Sequence, residues 1–291
     1  MSADHRPLRS VLYMPASNRR AIEKARGLDA DALIFDLEDA VAPEMKAEAR
    51  EVLVNEVCAG GFGHRRLVGR INALATPWGA QDLVALAAAP VEAVLAPKVD
   101  GPADVARLSA AMDEAGYAAG VRLWVMIETP AAVFALEAIA AMAATTRLAG
   151  FVLGLNDLAK DTGIAQLPGR AAFQPVLTLA VLAARSHGLV ILDGVCNAID
   201  DPERVEAEAV QARDGGFDGK TLIHPGQIEP VNRVFAPTRE QLAEAEAIVA
   251  AFADPANAGR GALRVSGKMV ELLHLAQAQK TIGAARAIAV R

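Results

Sequence analysis

Eight strand-length apolar runs recur along this chain, and each leads into a stretch patterned for helix. They are SVLYMPA (10–16), DALIFDLEDAV (31–41), RRLVGRIN (65–72), VEAVLAPKV (91–99), RLWVMIETP (122–130), LAGFVLGLND (148–157), LVILDGV (189–195) and GFDGKTLIH (216–224). The breaks between them carry helix-start chemistry: Asn18 before NRRAIEKARG, Pro43, Thr76-Pro77, Pro102 and Asp201-Pro202. Proline suits the first helical position because its missing N–H is one that no helix start can pair. Behind Pro102, Val105, Leu108 and Met112 recur on one helical face. Strand and helix alternating about eight times predict an α/β fold of the (β/α)8 TIM-barrel type rather than an open sheet. The 291 residues also suit that fold, which commonly takes ~250 residues as a single domain.

The barrel is expected over residues 1–237, with a C-terminal helical extension over 238–291. Thr238 with Gln241 forms a capping box for a helix through Phe252, and ADPANAGRGA (253–262) reads as a small-residue linker. Beyond it come a short extended piece, a turn at Ser266-Gly267 and a long alanine-rich helix. A helix beyond a linker must cover something to persist, either its own barrel or a neighbouring subunit.

A net charge of −6 with scattered Arg and Lys argues against nucleic acid as a partner. The N-terminus MSADHRPLRS has no apolar h-region, and no run is long enough to span a bilayer, so a cytoplasmic protein without a membrane partner is expected. Cys58 and Cys196 are too few for a disulfide framework and fit no metal spacing; both are expected as reduced, buried thiols.

In a (β/α)8 barrel the chemistry sits where the strands end. Two consecutive strands each deliver a carboxylate there, Glu128 and Asp157. Paired hard oxygens on one rim suit Mg²⁺, which takes one or two carboxylates and keeps positions open for substrate. The plainer alternative makes both residues helix caps. Arg70 ends the third run and can grip a carboxylate or enolate oxygen bidentately, or pair with Glu38 or Asp39. Glu38 and Asp39 follow an apolar strand and are read as partners behind the metal rather than direct ligands. Asp36 fits either an inward barrel position or a helix cap. Lys98 and Lys220 are read as ion-pair partners, Asp193 as a group for substrate or a loop cap, and His224 as a hydrogen-bonded strand end. Arg19, Arg20 and Lys24 read as a solvated helix face. CAGGFG lacks the strand–glycine–helix context of a dinucleotide site.

Taken together, RSVLYMPASN, ALIFDLEDAV, GRIN, APKV, MIETP, GLNDLAKD, GFDGKTLIHPGQIEPVNRVFAPT and SGKMVE resemble the citrate lyase beta subunit family. That family belongs to the HpcH/HpaI hydroxy-keto-acid aldolase superfamily and includes malyl-CoA lyases. The resemblance runs from Arg9 to about Ala285. It implies a barrel assembling into homotrimers or hexamers, with Mg²⁺ held by Glu128 and Asp157. Arg70 and Glu128 would lie at the substrate, a CoA thioester yielding a small 2-keto acid. It also implies an acid/base reaching over a neighbour's barrel from the C-terminal extension, at the position of Glu271.

Two departures stand out. Asn156 occupies the place where many relatives carry an acid before the metal aspartate, and the C-terminal acid is a glutamate rather than an aspartate. The tail GKMVELLH looks more like the malyl-CoA thioesterase branch, in which water attacks the thioester. The expectation is a Mg²⁺-dependent carbon–carbon lyase on a 3-hydroxyacyl-CoA such as malyl-CoA. Thioester hydrolysis is the close alternative, and a citrate-lyase-beta-type subunit working only within a larger complex is a third.

Overall fold

A computed structural model describes residues 6–290 of the chain. The predicted barrel is there, as eight parallel strands closed on themselves in sequence order. They are β1 (Ser10–Pro15), β2 (Ala32–Asp36), β3 (Arg66–Arg70), β4 (Ala93–Ala96), β5 (Arg122–Ile127), β6 (Leu148–Leu153), β7 (Val190–Asp193) and β8 (Gly219–Leu222). Closure comes from β8 pairing with β1, with Ser10 opposite Lys220. Gly219 makes that seam possible, because a Cβ there would lie 1.7 Å from the Leu8 carbonyl oxygen.

Alternation along each strand sorts side chains between two buried environments. Val11, Ala32, Ile34, Val68, Leu95, Trp124, Met126, Val152 and Leu192 fill the barrel interior. Their alternates face the helical layer, so both faces of every strand are buried and the runs read as continuously apolar. Helix starts follow the expected chemistry. Asn18, Thr129 and Asp201 accept from the backbone N–H of Ala21, Ala132 and Arg204 at 3.0–3.1 Å. Thr129, not Glu128, caps the helix Pro130–Phe134.

The barrel unit is Leu8–Val234, and a second compact unit begins at Phe235. In that unit the helix Arg239–Ala253 starts at the capping box of Thr238 and Gln241. Strands β9 (Ala262–Val265) and β10 (Lys268–Glu271) form an antiparallel hairpin. Ser266 and Gly267 between them have φ of 47° and 83°, the left-handed pair that a two-residue hairpin turn requires. The helix Leu272–Ala289 follows. Ala245, Ile248, Leu263, Val270 and Ala278 form the core of this unit, while Met269, Leu272 and Leu273 remain exposed. Among the described residues no helix is long and apolar enough to cross a membrane. Cys196 is buried as expected, but Cys58 is exposed near the end of the helix Lys46–Ala59, on a turn that leaves its side chain outside the core.

Candidate active site

Strand parity places Arg70 inside the barrel, two residues beyond inward-facing Val68. Asp36 has the same parity on β2 and lies directly opposite it in the ladder. The two therefore meet: Arg70 donates from Nε to Asp36 Oδ1 at 2.7 Å and from Nη2 to Oδ2 at 2.6 Å. Asp36 is itself fixed, accepting the backbone N–H groups of Glu38 (2.8 Å) and Ala40 (3.1 Å). The remaining guanidinium nitrogen, Nη1, contacts Glu38 Oε2 at 2.7 Å and Asp39 Oδ2 at 3.3 Å. The Tyr13 ring lies against the guanidinium, 5.0 Å from centroid to Cζ. Burial alone would lower the Arg70 pKa, but the charge and hydrogen bonds of Asp36 hold it well above the usual arginine value. Glu38 behaves oppositely. Burial outweighs its guanidinium neighbour and pushes its carboxyl up to about 8.

Glu128 and Asp157 are brought together, and Lys98 stands between them. Glu128 follows β5 at the inward parity and is fully buried. Asp157 lies in the first turn of the helix Leu155–Thr162, which leaves β6. The Lys98 ammonium is 2.6 Å from Asp157 Oδ1 and 3.3 Å from Glu128 Oε1. The Lys98 backbone adopts φ 54°, unusual for a residue with a Cβ. Its N–H donates to the same Glu128 oxygen at 2.8 Å. The other oxygen, Glu128 Oε2, is buried without a hydrogen-bond partner among the described residues. Burial raises the Glu128 pKa, with Lys98 opposing it. Burial would lower that of Lys98, but the Asp157 and Glu128 carboxylates more than offset it, so the ammonium is held above its usual value.

This pair fits a divalent cation. Both carboxylates reach one positive centre, which shows that their oxygens converge. A further carboxylate oxygen is left unsatisfied, and hard oxygens are the donors Mg²⁺ takes. The space is protected by Gly154, where a Cβ would lie 2.4 Å from Glu128 Cβ and 2.7 Å from Oε2. No cluster of three or more Asp, Glu, His or Cys that could hold a metal occurs among the described residues.

Asp157 and Arg70 line the same cavity of about 330 Å³ at the strand ends, together with Tyr13, Met126, Val195 and Thr221. Asn156 also borders it, and its Oδ1 accepts from Asn197 Nδ2 (2.7 Å) and Gln166 Nε2 (2.9 Å), a neutral amide cluster beside Asp157. Glu38 and Asp39 sit at Arg70 rather than beside the carboxylate pair. Glu271 belongs to the other unit, where it ends β10, caps the following helix and donates its backbone N–H to His274 Nδ1 at 2.9 Å.

Asp193 and Lys220 have the opposite parity and face the helical layer. Lys220 Nζ lies 2.8 Å from Asp193 Oδ2 and 3.4 Å from Glu208, and it also bonds the Gly194 carbonyl. Arg170 Nη1 bonds both Asp193 oxygens, at 2.7 and 2.8 Å. His224 is a strand-end residue whose Nδ1 accepts from the Gly226 N–H. Arg19 and Arg20 are exposed on the first helix, with Arg19 paired to Glu56. Reading the sequence left Asp36 undecided between an inward position and a helix cap, outside the candidate set, and gave Lys98 only a generic pairing role. Counting inward positions from Ala32 and Ile34 would have placed Asp36 in the interior.

Comparison with known proteins adds four findings to this geometry. The family model described as HpcH/HpaI aldolase/citrate lyase matches residues 9–225. A (3S)-malyl-CoA thioesterase of Cereibacter sphaeroides is 47% identical over 289 residues, covering 99% of this chain and 98% of the relative. An L-malyl-CoA/beta-methylmalyl-CoA lyase of the same species is 32% identical, covering 97% of this chain and 96% of the relative. Among solved structures, protein CitE from Mycobacterium tuberculosis, crystallised with magnesium, acetoacetate and coenzyme A, superposes with a TM-score of 0.77. It is 30% identical, covering 97% of this chain and 99% of that one.

Proposed function

Since the chain belongs to the HpcH/HpaI aldolase/citrate lyase family, we propose that it is a Mg²⁺-dependent enzyme hydrolysing the thioester of a malyl-CoA-type substrate. The observation that carries this reading is the convergence of Glu128 and Asp157 on one cationic centre, beside a cavity that also presents Arg70. The thioesterase relative at 47% identity over nearly the whole chain favours hydrolysis over the carbon–carbon cleavage expected from the wider family. Cleavage to acetyl-CoA and glyoxylate is the second reading, favoured by the 32% identical lyase.

Glu128 and Asp157 would hold the Mg²⁺, at the place where Lys98 shows positive charge to be favoured. When bound, the ion would polarise a substrate oxygen as a Lewis acid. Arg70 binds the anionic oxygens of the acyl group. Because Asp36 takes the Nε hydrogen and one Nη2 hydrogen, the ligand would be met by Nη1, in competition with Glu38 and Asp39, and by the second Nη2 hydrogen. That fixed orientation positions the acyl group without a rearrangement at the moment of reaction. Glu271 is the acid/base, taking a proton from the attacking water or from the substrate hydroxyl. The C-terminal helical extension, residues 238–291, would carry it to a neighbouring subunit's barrel in a homotrimer or hexamer. Coenzyme A thioester and a small 2-keto or hydroxy acid are the partners of such a site.

The test is incubation of the purified protein, expressed alone, with malyl-CoA and Mg²⁺ while glyoxylate and free malate are assayed in parallel. Malate without glyoxylate is expected. Glyoxylate with acetyl-CoA would replace hydrolysis by the lyase reading, and no turnover without an added partner protein would point to a subunit of a larger complex. In the same assay Glu271→Ala should lower turnover far more than thermal stability. Equal losses in both would make Glu271 structural.

A further inference from the structure

The Tyr13 hydroxyl is a polar group of the inner site that neither the Asp36–Arg70 clamp nor the carboxylate pair engages. It follows Val11 at the inward parity of β1, packs against the barrel interior and lines the cavity. Its ring is held in place by the Arg70 guanidinium. Its hydroxyl is closed off from bulk solvent and has no hydrogen-bond partner among the described residues. A buried hydroxyl without a partner is costly, and native proteins keep few of them. Four charged groups act on it, Arg70, Asp36, Glu128 and Glu38, and none of them makes a hydrogen bond to it. Asp36 already accepts from Arg70 and from two backbone amides. Arg70 has only donors. Burial raises the Tyr13 pKa, so the phenol stays an O–H donor across the working range of an enzyme.

We propose that Tyr13 is a substrate-binding residue whose hydroxyl donates to an anionic oxygen of the acyl group gripped by Arg70, selecting chains that carry a free carboxylate. This rests on the thioester reading above and names the part of the substrate it recognises. A neutral donor suits the place, since the cavity wall already holds Asp36, Asp39 and Asp157 against a single arginine. An acyl chain ending in a methyl group would leave the hydroxyl unpaired inside the complex, and a site with a stranded polar group rejects such ligands strongly.

Tyr13→Phe removes one oxygen and leaves the ring under Arg70. Calorimetric titration of L-malate and of 3-hydroxybutyryl-CoA, whose acyl chain has a methyl group and no free carboxylate, into the Mg²⁺-loaded protein, with thermal unfolding of the ligand-free form, reads out the proposal. The variant should bind L-malate roughly tenfold more weakly, the size of one lost hydrogen bond to a charged group. Its binding of 3-hydroxybutyryl-CoA should not weaken and should tighten as the stranded hydroxyl is removed, and its ligand-free form should unfold at the same or a higher temperature because the unpaired donor is gone. Equal malate affinity in the two proteins overturns the proposal, as does a variant destabilised without its ligand, which would make the hydroxyl structural. If the wild type turns over malyl-CoA and the variant keeps malate affinity, this proposal alone falls. If the wild type neither binds malate nor turns over malyl-CoA, the thioester reading falls and takes the proposal with it.

Discussion

The barrel carries two buried constellations of charge, built from the same residue types at the same ends of its strands, and they do opposite work. Inside, Arg70 is clamped by Asp36 at the wall of a cavity that Tyr13 also lines, while the Tyr13 hydroxyl and Glu128 Oε2 have no hydrogen-bond partner among the described residues. Outside, between strands and helices, Asp193, Lys220, Arg170 and Glu208 are almost wholly buried and ion-paired mainly with one another, although Glu208 Oε2, 3.4 Å from Lys220, makes no hydrogen bond among the described residues. One residue of strand parity separates the two. Unpaired groups beside a cavity suit the ligand site proposed above, whereas mutual ion pairing between strands and helices suits a cross-brace.

Cutting each constellation should therefore break different properties. The largest effect is expected from Asp157→Ala, which removes one of the two proposed metal ligands. Mg²⁺-dependent turnover should fall by on the order of a thousandfold, as when a key electrostatic group is removed from other active sites. Mg²⁺ should raise the unfolding temperature of the wild type and leave the variant unmoved. Full activity in the variant would remove the metal assignment. Next in size is Lys220→Met, which leaves Asp193 to Arg170 alone and takes from buried Glu208 Oε2 its nearest cation. Urea unfolding should show a loss of about 3–5 kcal/mol, the usual cost of leaving a buried charge unpaired. The turnover of the molecules that remain folded should stay near the wild-type value. A variant that keeps its stability but loses turnover would transfer the outer cluster to the active site and erase the distinction drawn here.

The sequence made the barrel legible because eight apolar runs with proline-marked helix starts admit few other arrangements. It also put Arg70, Glu128 and Asp157 at strand ends, and the fold brings all three to the same end of the barrel. What it concealed was the direction each charge faces. Both faces of a parallel strand are buried, so apolar alternation is hidden and Asp36 and Asp193 look alike in the chain. Parity is recovered only once the inward set is known, from Ile34 and Asp36 on β2 against Leu192 and Asp193 on β7. Lys98 was obscured for another reason. Its place between the carboxylates depends on a left-handed backbone at φ 54°, which no apolar pattern encodes.

The smallest expected effect is a difference in how the two constellations respond to pH. Burial holds the Glu38 carboxyl at about 8, above its ordinary value of 4.5. The folded state therefore binds a proton that the unfolded state has released. The stability this contributes is complete below the ordinary carboxylate range and is lost as pH rises through about 8. Asp193 has the opposite sign. Burial would raise its pKa, but Lys220 and Arg170 hold it below the ordinary value, so its contribution is present at neutral pH and is lost only in acid. Urea midpoints measured from roughly pH 6 to roughly pH 9 should fall for the wild type relative to Glu38→Gln, and the same comparison with Asp193→Asn should give a constant offset. Parallel curves for wild type and Glu38→Gln would mean that Glu38 is ionised beside Arg70 throughout. The inner cluster would then be as fully ion-paired as the outer one, and pairing could no longer tell the two apart.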